Sequence, residues 1–337
     1  MEKVTVIGFK NAGKTCYLAG MYDFMSYGAK NFSLVEKDSD QDWYLQKLWE
    51  NISNGASREW PVPSDEKRVY TFSLQHNFQK VMEFEWLDYP GAALVDPGYG
   101  LIDELTGQIS ESACLLILVN GESFAFDGDP NNQIRIQAES DSAYKQIVAK
   151  NLKRNRDLEA IRQLSKLGSK GITLPPIGIV VTKSDLIEDQ WIPYVQDIII
   201  HHFSPIFGEN SQDEHIVMLS AVTLGDDIQF GGDAEPVDIE LPIAFAVLSI
   251  LRKYVTAKRV LKAQNNNTLS QKDTLWCNLF NQKQLEDLRK AVAALDAEIG
   301  KMSQDAICLL DLFAEGKPIY INAQKQNFRK FFQNELR

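Results

Sequence analysis

The chain has 337 residues, 44% apolar and 24% charged, enough for one large domain or one domain with an appendage. Its 35 basic and 46 acidic residues leave a formal charge of −11, which disfavours nucleic acid and anionic lipid as partners. No apolar run reaches the roughly 20 residues of a membrane span. Four scattered cysteines (Cys16, Cys114, Cys277, Cys308) form neither a disulfide framework nor a thiolate metal cluster. With an N-terminus, "MEKVTVIGF", that lacks a signal peptide's basic and apolar regions, they fit a cytoplasmic setting.

In chain order, Val4–Gly8 reads as a strand and Lys14 to about Tyr27 as a helix. A long polar insertion follows over 28–67, with helical spacing only in "DWYLQKLWENI"; its Trp43, Trp49 and Trp60 suggest a local mini-core. Arg68–Leu74 and Val81–Asp88 pair around the turn-like "QHNFQ". Ala113–Asn120 and Ile177–Thr182 are continuous apolar runs of the kind a doubly buried strand shows, and His215–Leu219 is a shorter one. Between them lie a Gly/Asp/Pro-rich insertion over 122–136 and helical spacing from Gln137 to Leu167. This alternation predicts an α/β fold, a doubly wound, mostly parallel sheet. After Lys253 strand signals vanish. "QNNNTLSQKD" reads as a linker, and a stripe of Leu285, Leu288, Val292, Leu295 and Ile299 reads as an amphipathic helix in a helical hairpin or against the sheet. "NFRKFFQNELR" suits one more helix. The expected division is a domain at 1–255 and a C-terminal α-helical extension at 256–337.

Four segments carry chemistry. The first is G-x-x-x-x-G-K-T at Gly8, Gly13, Lys14 and Thr15. A strand before it, a helix after it and small residues between let successive N–H groups of Gly8, Asn11, Ala12, Gly13, Lys14, Thr15 and Cys16 surround a phosphate chain. Lys14 would reach the β- and γ-phosphates and the Thr15 hydroxyl would ligate Mg²⁺. The second is "LDYPG". Asp88 at a strand tip suits Mg²⁺, and the Gly91 N–H suits the γ-phosphate. The third is "TKSD" at Thr182, Lys183 and Asp185. An acceptor-only carboxylate at Asp185 matches the N1–H and exocyclic amine of guanine, and the Lys183 stem can cover the base. The fourth is "MLSAVT", whose Ser220-Ala221 turn would offer an N–H to the guanine O6. All four follow predicted strands, at the edge where open α/β sheets bind ligands.

In these segments the first 255 or so residues resemble the P-loop GTPase superfamily, the branch holding Ras-like and translation-factor GTPases. The resemblance implies GTP or GDP and Mg²⁺ as ligands, and slow hydrolysis with Lys14 and Gly91 at the γ-phosphate. It also implies switch segments over 28–67 and 91–107, a protein effector or regulator, and the option of a nucleotide-dependent dimer. The chain departs from the family in three places. Thr182 stands where asparagine is commoner. Ala92 replaces the glutamine that orients water, leaving Arg58, Arg68 or the 122–136 loop as unranked substitutes. No threonine marks the first switch, where Ser64 in "WPVPS" is the candidate metal ligand and Thr71 the alternative. The W-P-x-P-S pattern with "VDIELPIAFAVLSIL" is similar to prokaryotic GTPases of conflict- and secretion-associated loci, which implies a bacterial multi-protein system. Two other readings stand beside this one: a guanine-nucleotide scaffold without turnover, and a P-loop ATPase or kinase.

Overall fold

The computed structural model describes residues 1–8, 11–62, 66–91, 93, 102–125, 141–169, 172–208, 213–272 and 282–336. Chain order begins with β1 (Glu2–Gly8), α1 (Lys14–Tyr27), β2 (Phe32–Glu36), α2 (Ser39–Ser53), β3 (Arg68–His76) and β4 (Gln79–Asp88). It continues with α3 (Ile102–Glu111), β5 (Cys114–Asn120), α4 (Asp141–Arg154), α5 (Asp157–Ser169), β6 (Ile177–Thr182), α6 (Ile192–His202) and β7 (Ile216–Ala221). The C-terminal part holds α7 (Leu241–Lys272), α8 (Gln282–Leu309), β8 (Pro318–Ile321), β9 (Gln324–Asn327) and α9 (Phe328–Leu336).

One sheet of nine strands runs in the order β2-β3-β4-β1-β5-β6-β7-β8-β9. Its centre, β4-β1-β5-β6-β7, is parallel. Both margins are antiparallel: β2-β3-β4 on one side, β7-β8-β9 on the other. The sheet is therefore mixed, an α/β arrangement consistent with the expected P-loop fold. Strand alternation splits the core. Leu116 and Leu118 of β5 join Val4, Val6, Phe84 and Trp86 against α1 and α7. Leu115, Ile117 and Val119 join Ile7, Ile177, Ile179 and Val181 against α3 to α6 on the other face. A run apolar at every position is what burial on both faces demands.

Three expectations need correction. The 28–67 insertion contains an edge strand, β2, whose last residue is a buried glutamate. Its Oε1 accepts the backbone N–H groups of Lys37, Asp38 and Thr71, which offsets part of the burial cost, while its Oε2 has no partner among the described residues. The "QNNNTLSQKD" stretch is no linker up to Lys272, because α7 runs unbroken across residues 255 and 256 to that point. Its Lys258 and Lys262 pair with Glu298 and Asp296 of α8, and Thr268 and Ser270 bond back to Gln264 O and Asn266 O. The C-terminal extension is not purely helical, since β8 and β9 lengthen the main sheet around a two-residue Asn322-Ala323 turn with φ of 48° and 64°. Those left-handed torsions match the twist of a tight hairpin. Of the three insertion tryptophans only Trp49 is buried, with Ala19, Leu48 and Ile52; Trp43 and Trp60 are exposed.

Candidate nucleotide site

Parallel strands end together, and their carboxyl ends gather the sequence-predicted residues. Gly8 ends β1, Asp88 ends β4, Thr182 ends β6, and Ala221 ends β7. Gly13 holds φ 73°, ψ 15° just before α1, a left-handed conformation in which any Cβ is strained. Asn11 is also left-handed at φ 69°, a region asparagine enters more readily than most residues. These torsions turn the chain from strand into helix and leave the positive N-terminal end of α1 at the sheet edge, with Thr15 and Cys16 in its first turn. Burial pushes the Cys16 thiol up to about 11, so it stays protonated there.

Lys14 donates from Nζ to Gly8 O at 3.0 Å, folding its side chain back over the loop. Burial lowers its pKa, and the nearby Asp88 carboxylate opposes that shift. Asp88 is the complementary case: burial raises its pKa, while Lys14 and Arg68 pull it down. Its Oδ1 is fully shielded and has no hydrogen-bond partner among the described residues. A covered, unpartnered carboxylate oxygen costs free energy unless something binds it. Asp88 and Thr15 supply the oxygen donors a hard divalent cation takes, so these residues fit Mg²⁺. Of the other metal candidates, Ser64 lies outside the described residues, and Thr71 sits within β3 opposite Glu85. Gly91 follows Tyr89-Pro90 at the end of β4, with Ala93 N–H closing the turn onto Pro90 O at 3.0 Å. Ala92 lies outside the described residues.

Thr182 ties the end of β6 to the loop before α1 and to β5. Its Oγ1 lies 2.9 Å from Ala12 O and 3.2 Å from Val119 O, and the side chain is buried. A hydroxyl has one hydrogen, so it bridges these carbonyls by sharing it. Lys183 then takes φ 50°, ψ 43°, a strained torsion for a long side chain, and the turn Ser184–Leu186 follows. That turn presents Asp185, whose Oδ1 accepts from Thr223 Oγ1 at 2.6 Å. Thr223 also accepts the Gly225 N–H at 2.9 Å, and Ser184 N–H meets Val222 O at 3.2 Å. Ser220 and Ala221 are the last residues of β7, with Ser220 buried and Ala221 exposed, so they form no turn. The loop that meets Asp185 is Val222–Gly225, one turn later in the chain. Sequence reading missed Thr223, although a hydroxyl two residues past the "SA" pair was the available signal.

The two arginines offered as substitutes for the missing glutamine can now be ranked. Arg58 donates to Ile52 O, Ile228 O and Gly232 O, fastening α2 to the acidic 226–233 loop. Arg68 lies directly across the ladder from Asp88, stacked over the Tyr44 ring and bonded to its hydroxyl. Only Arg68 is at the site.

Behind β5, Ser123 Oγ donates to Asp157 Oδ2 at 3.0 Å and Asn155 Nδ2 donates to Ser123 Oγ at 2.7 Å, all well packed. Burial pushes the Asp157 carboxyl up to about 7. The native state thus holds this proton more tightly than the unfolded chain does. Its contribution to stability is complete below pH ~4 and fades as pH rises to about 7. Asp157→Asn should therefore stabilise the protein, with a gain that grows by about 2 kcal/mol between pH 5 and pH 8. Denaturant unfolding at the two pH values checks this; a pH-independent difference would refute it.

No family model and no curated protein matches the sequence. Among solved structures, sup35 complexed with GDP is 12% identical, covers 66% of this chain and has a TM-score of 0.31. An SsGBP variant is 11% identical over 66% of the chain, with a TM-score of 0.27. The chain spans only 36% and 50% of these two. An S. thermophilus NFeoB variant bound to GDP is 14% identical, with coverage of 93% and 99% and a TM-score of 0.28. At such scores the likenesses do not decide the family; the strand order and the residues above carry the reading.

Proposed function

We propose that this chain is a Mg²⁺-dependent guanine-nucleotide-binding protein that hydrolyses GTP slowly and acts as a molecular switch. The observation that carries the reading is a left-handed loop opening a helix at the sheet edge, with Lys14 folded over it onto Gly8 O and Asp88 ending the adjacent strand β4, its covered Oδ1 without a hydrogen-bond partner among the described residues. Lys14 and the loop N–H groups bind the phosphates, and Thr15 and Asp88 hold the metal. Bound Mg²⁺ supplies charge neutralisation at the β- and γ-phosphates. Asp185 accepts from the guanine N1–H and amine, Lys183 covers the base, and the Val222–Gly225 loop faces the O6 side. The Gly91 N–H meets the γ-phosphate and senses its loss. With alanine at 92, no side chain there orients the attacking water, so turnover is slow. A protein that reads the γ-phosphate through 28–67 and 91–107 is the expected partner, in keeping with the bacterial multi-protein setting the sequence resemblance implies.

Displacement of a fluorescent GDP analogue by unlabelled GTP, GDP and ATP, with and without Mg²⁺, tests the reading. GTP and GDP should compete at low concentration and ATP should not. Equal competition by ATP makes the chain a P-loop ATPase or kinase, and guanine binding with no single-turnover hydrolysis makes it a scaffold. Asp185→Asn should reverse the preference from guanosine to xanthosine diphosphate by about a hundredfold, since two hydrogen bonds to a charged group are exchanged. Unchanged selectivity in that variant removes Asp185 from base recognition.

A further inference from the structure

Beside the base segment, the short loop after β5 is built against Lys183. Glu122 Oε1 lies 2.5 Å from Lys183 Nζ, an ion pair that joins the two segments. Glu122 is itself held twice by Asn120, which donates from Nδ2 to Oε2 at 3.1 Å and accepts the Glu122 N–H on Oδ1 at 3.1 Å. Between them, Gly121 admits no side chain: a Cβ there would stand 2.3 Å from Thr182 O and 2.4 Å from Lys183 O. The two backbones are thus in direct contact, and the loop is anchored from behind by Ser123 in the Asp157 cluster. An ion pair between two freely moving surface side chains contributes little. Here one partner is fixed by its own neighbours, and the other stands on a strained backbone that aims it.

We propose that Glu122 is a positioning residue for the nucleotide base: it fixes the Lys183 ammonium so that the aliphatic stem forms a standing lid over the purine. The idea rests on the guanine-nucleotide reading and deepens it, since it adds a second wall to the base pocket, made of Asn120, Gly121 and Glu122. Lys183 is otherwise a flexible cation with four rotatable bonds. Its stem is ordered before the ligand arrives, so less entropy is lost on binding. The bound base also shields the ion pair from water, which strengthens it when the site is filled. Release of the base then requires this pair to loosen, so Glu122 acts on the dissociation rate.

The test is release of a fluorescent GDP analogue from the full chain, chased with excess GDP, for wild type, Glu122→Gln, Lys183→Ala and the double variant. Glu122→Gln should speed release about fivefold. The double variant should release no faster than Lys183→Ala alone, because the two residues act as one unit. Competition by tripolyphosphate, which engages the phosphate loop but has no base, should be unchanged in Glu122→Gln, a result that a loosened fold would not give. Wild-type release from Glu122→Gln, or effects that multiply in the double variant, overturns the proposal. A wild-type chain that binds no nucleotide overturns the guanine reading and this proposal together, and that result is distinct from the first two.

Discussion

Replacing Lys14 by methionine is expected to raise the dissociation constant for guanine nucleotide about a thousandfold or more, while the nucleotide-free protein melts at an unchanged or higher temperature. The two halves of this expectation have separate causes. In binding, the ammonium is the only side-chain cation of the phosphate loop within the described residues, and charge-assisted bonds to two phosphates contribute roughly 1.5–3 kcal/mol each. In the free protein, the same ammonium is partly desolvated, and its recorded hydrogen bond goes to Gly8 O. A methionine keeps the stem's packing without that desolvation, and Asp88, whose pKa burial already raises, takes up a proton more readily once the ammonium is gone, so no uncompensated charge is left behind. Asp88 then keeps Arg68 as its nearby positive charge. Isothermal titration with GDP and a thermal melt of the free protein read both halves. A change in affinity below tenfold would sink the phosphate-loop assignment, and a collapse of the melt would show that Lys14 is structural.

The central strands were legible because burial on both faces writes itself as uninterrupted apolar sequence, as in "ACLLILVN" and "IGIVVT". The helix from Lys14 to Tyr27 was legible from its glycine-rich entry. The margins were not. β9 reads Gln-Lys-Gln-Asn and is almost wholly exposed, so it carries no alternation; only its backbone pairing with β8 makes it a strand. β2 hides because its buried glutamate breaks the apolar pattern, and one of the three N–H groups that reach its Oε1 comes from β3, far along the chain. The asparagine run in α7 opposes helix by propensity and is carried by a helix that begins on the core and packs along α8. At the site, residue types and their order were readable, but partnerships were not. That Thr223, rather than the Ser220-Ala221 pair, meets Asp185 depends on where β7 ends, and strand ends are set by register across the sheet. Glu122 stood out only as the first residue of the 122–136 insertion, because its pairing with Lys183 comes from the close approach of two loops 61 residues apart.

A chain ending at residue 255 is expected not to fold. By sequence alone that cut separates a sheet domain from a helical extension, yet it falls inside α7. The segment removed supplies Leu309, Leu310, Phe313, Ile319, Phe328, Phe331, Phe332 and Leu336, all buried in the core on the α1 face. Phe328 and Phe332 pack against Phe245, a residue of α7 that itself seats on the sheet, and Phe313 stacks on Phe328 at 4.1 Å. Losing these partners also bares the edge of β7, which β8 covers in the intact chain. Each large apolar side chain contributes roughly 1.5–3 kcal/mol on burial, so the loss exceeds about 10 kcal/mol. Typical domains are stable by only about 5–15 kcal/mol, and the truncated sheet would in addition present an open strand to other copies of itself. Circular dichroism and urea unfolding of the 1–255 fragment should show no cooperative transition, together with aggregation. A soluble fragment with a single steep transition, still binding nucleotide, would establish the first 255 residues as an independent domain. The C-terminal phenylalanines would then have to be read as a docked appendage instead of as part of the core on the α1 face.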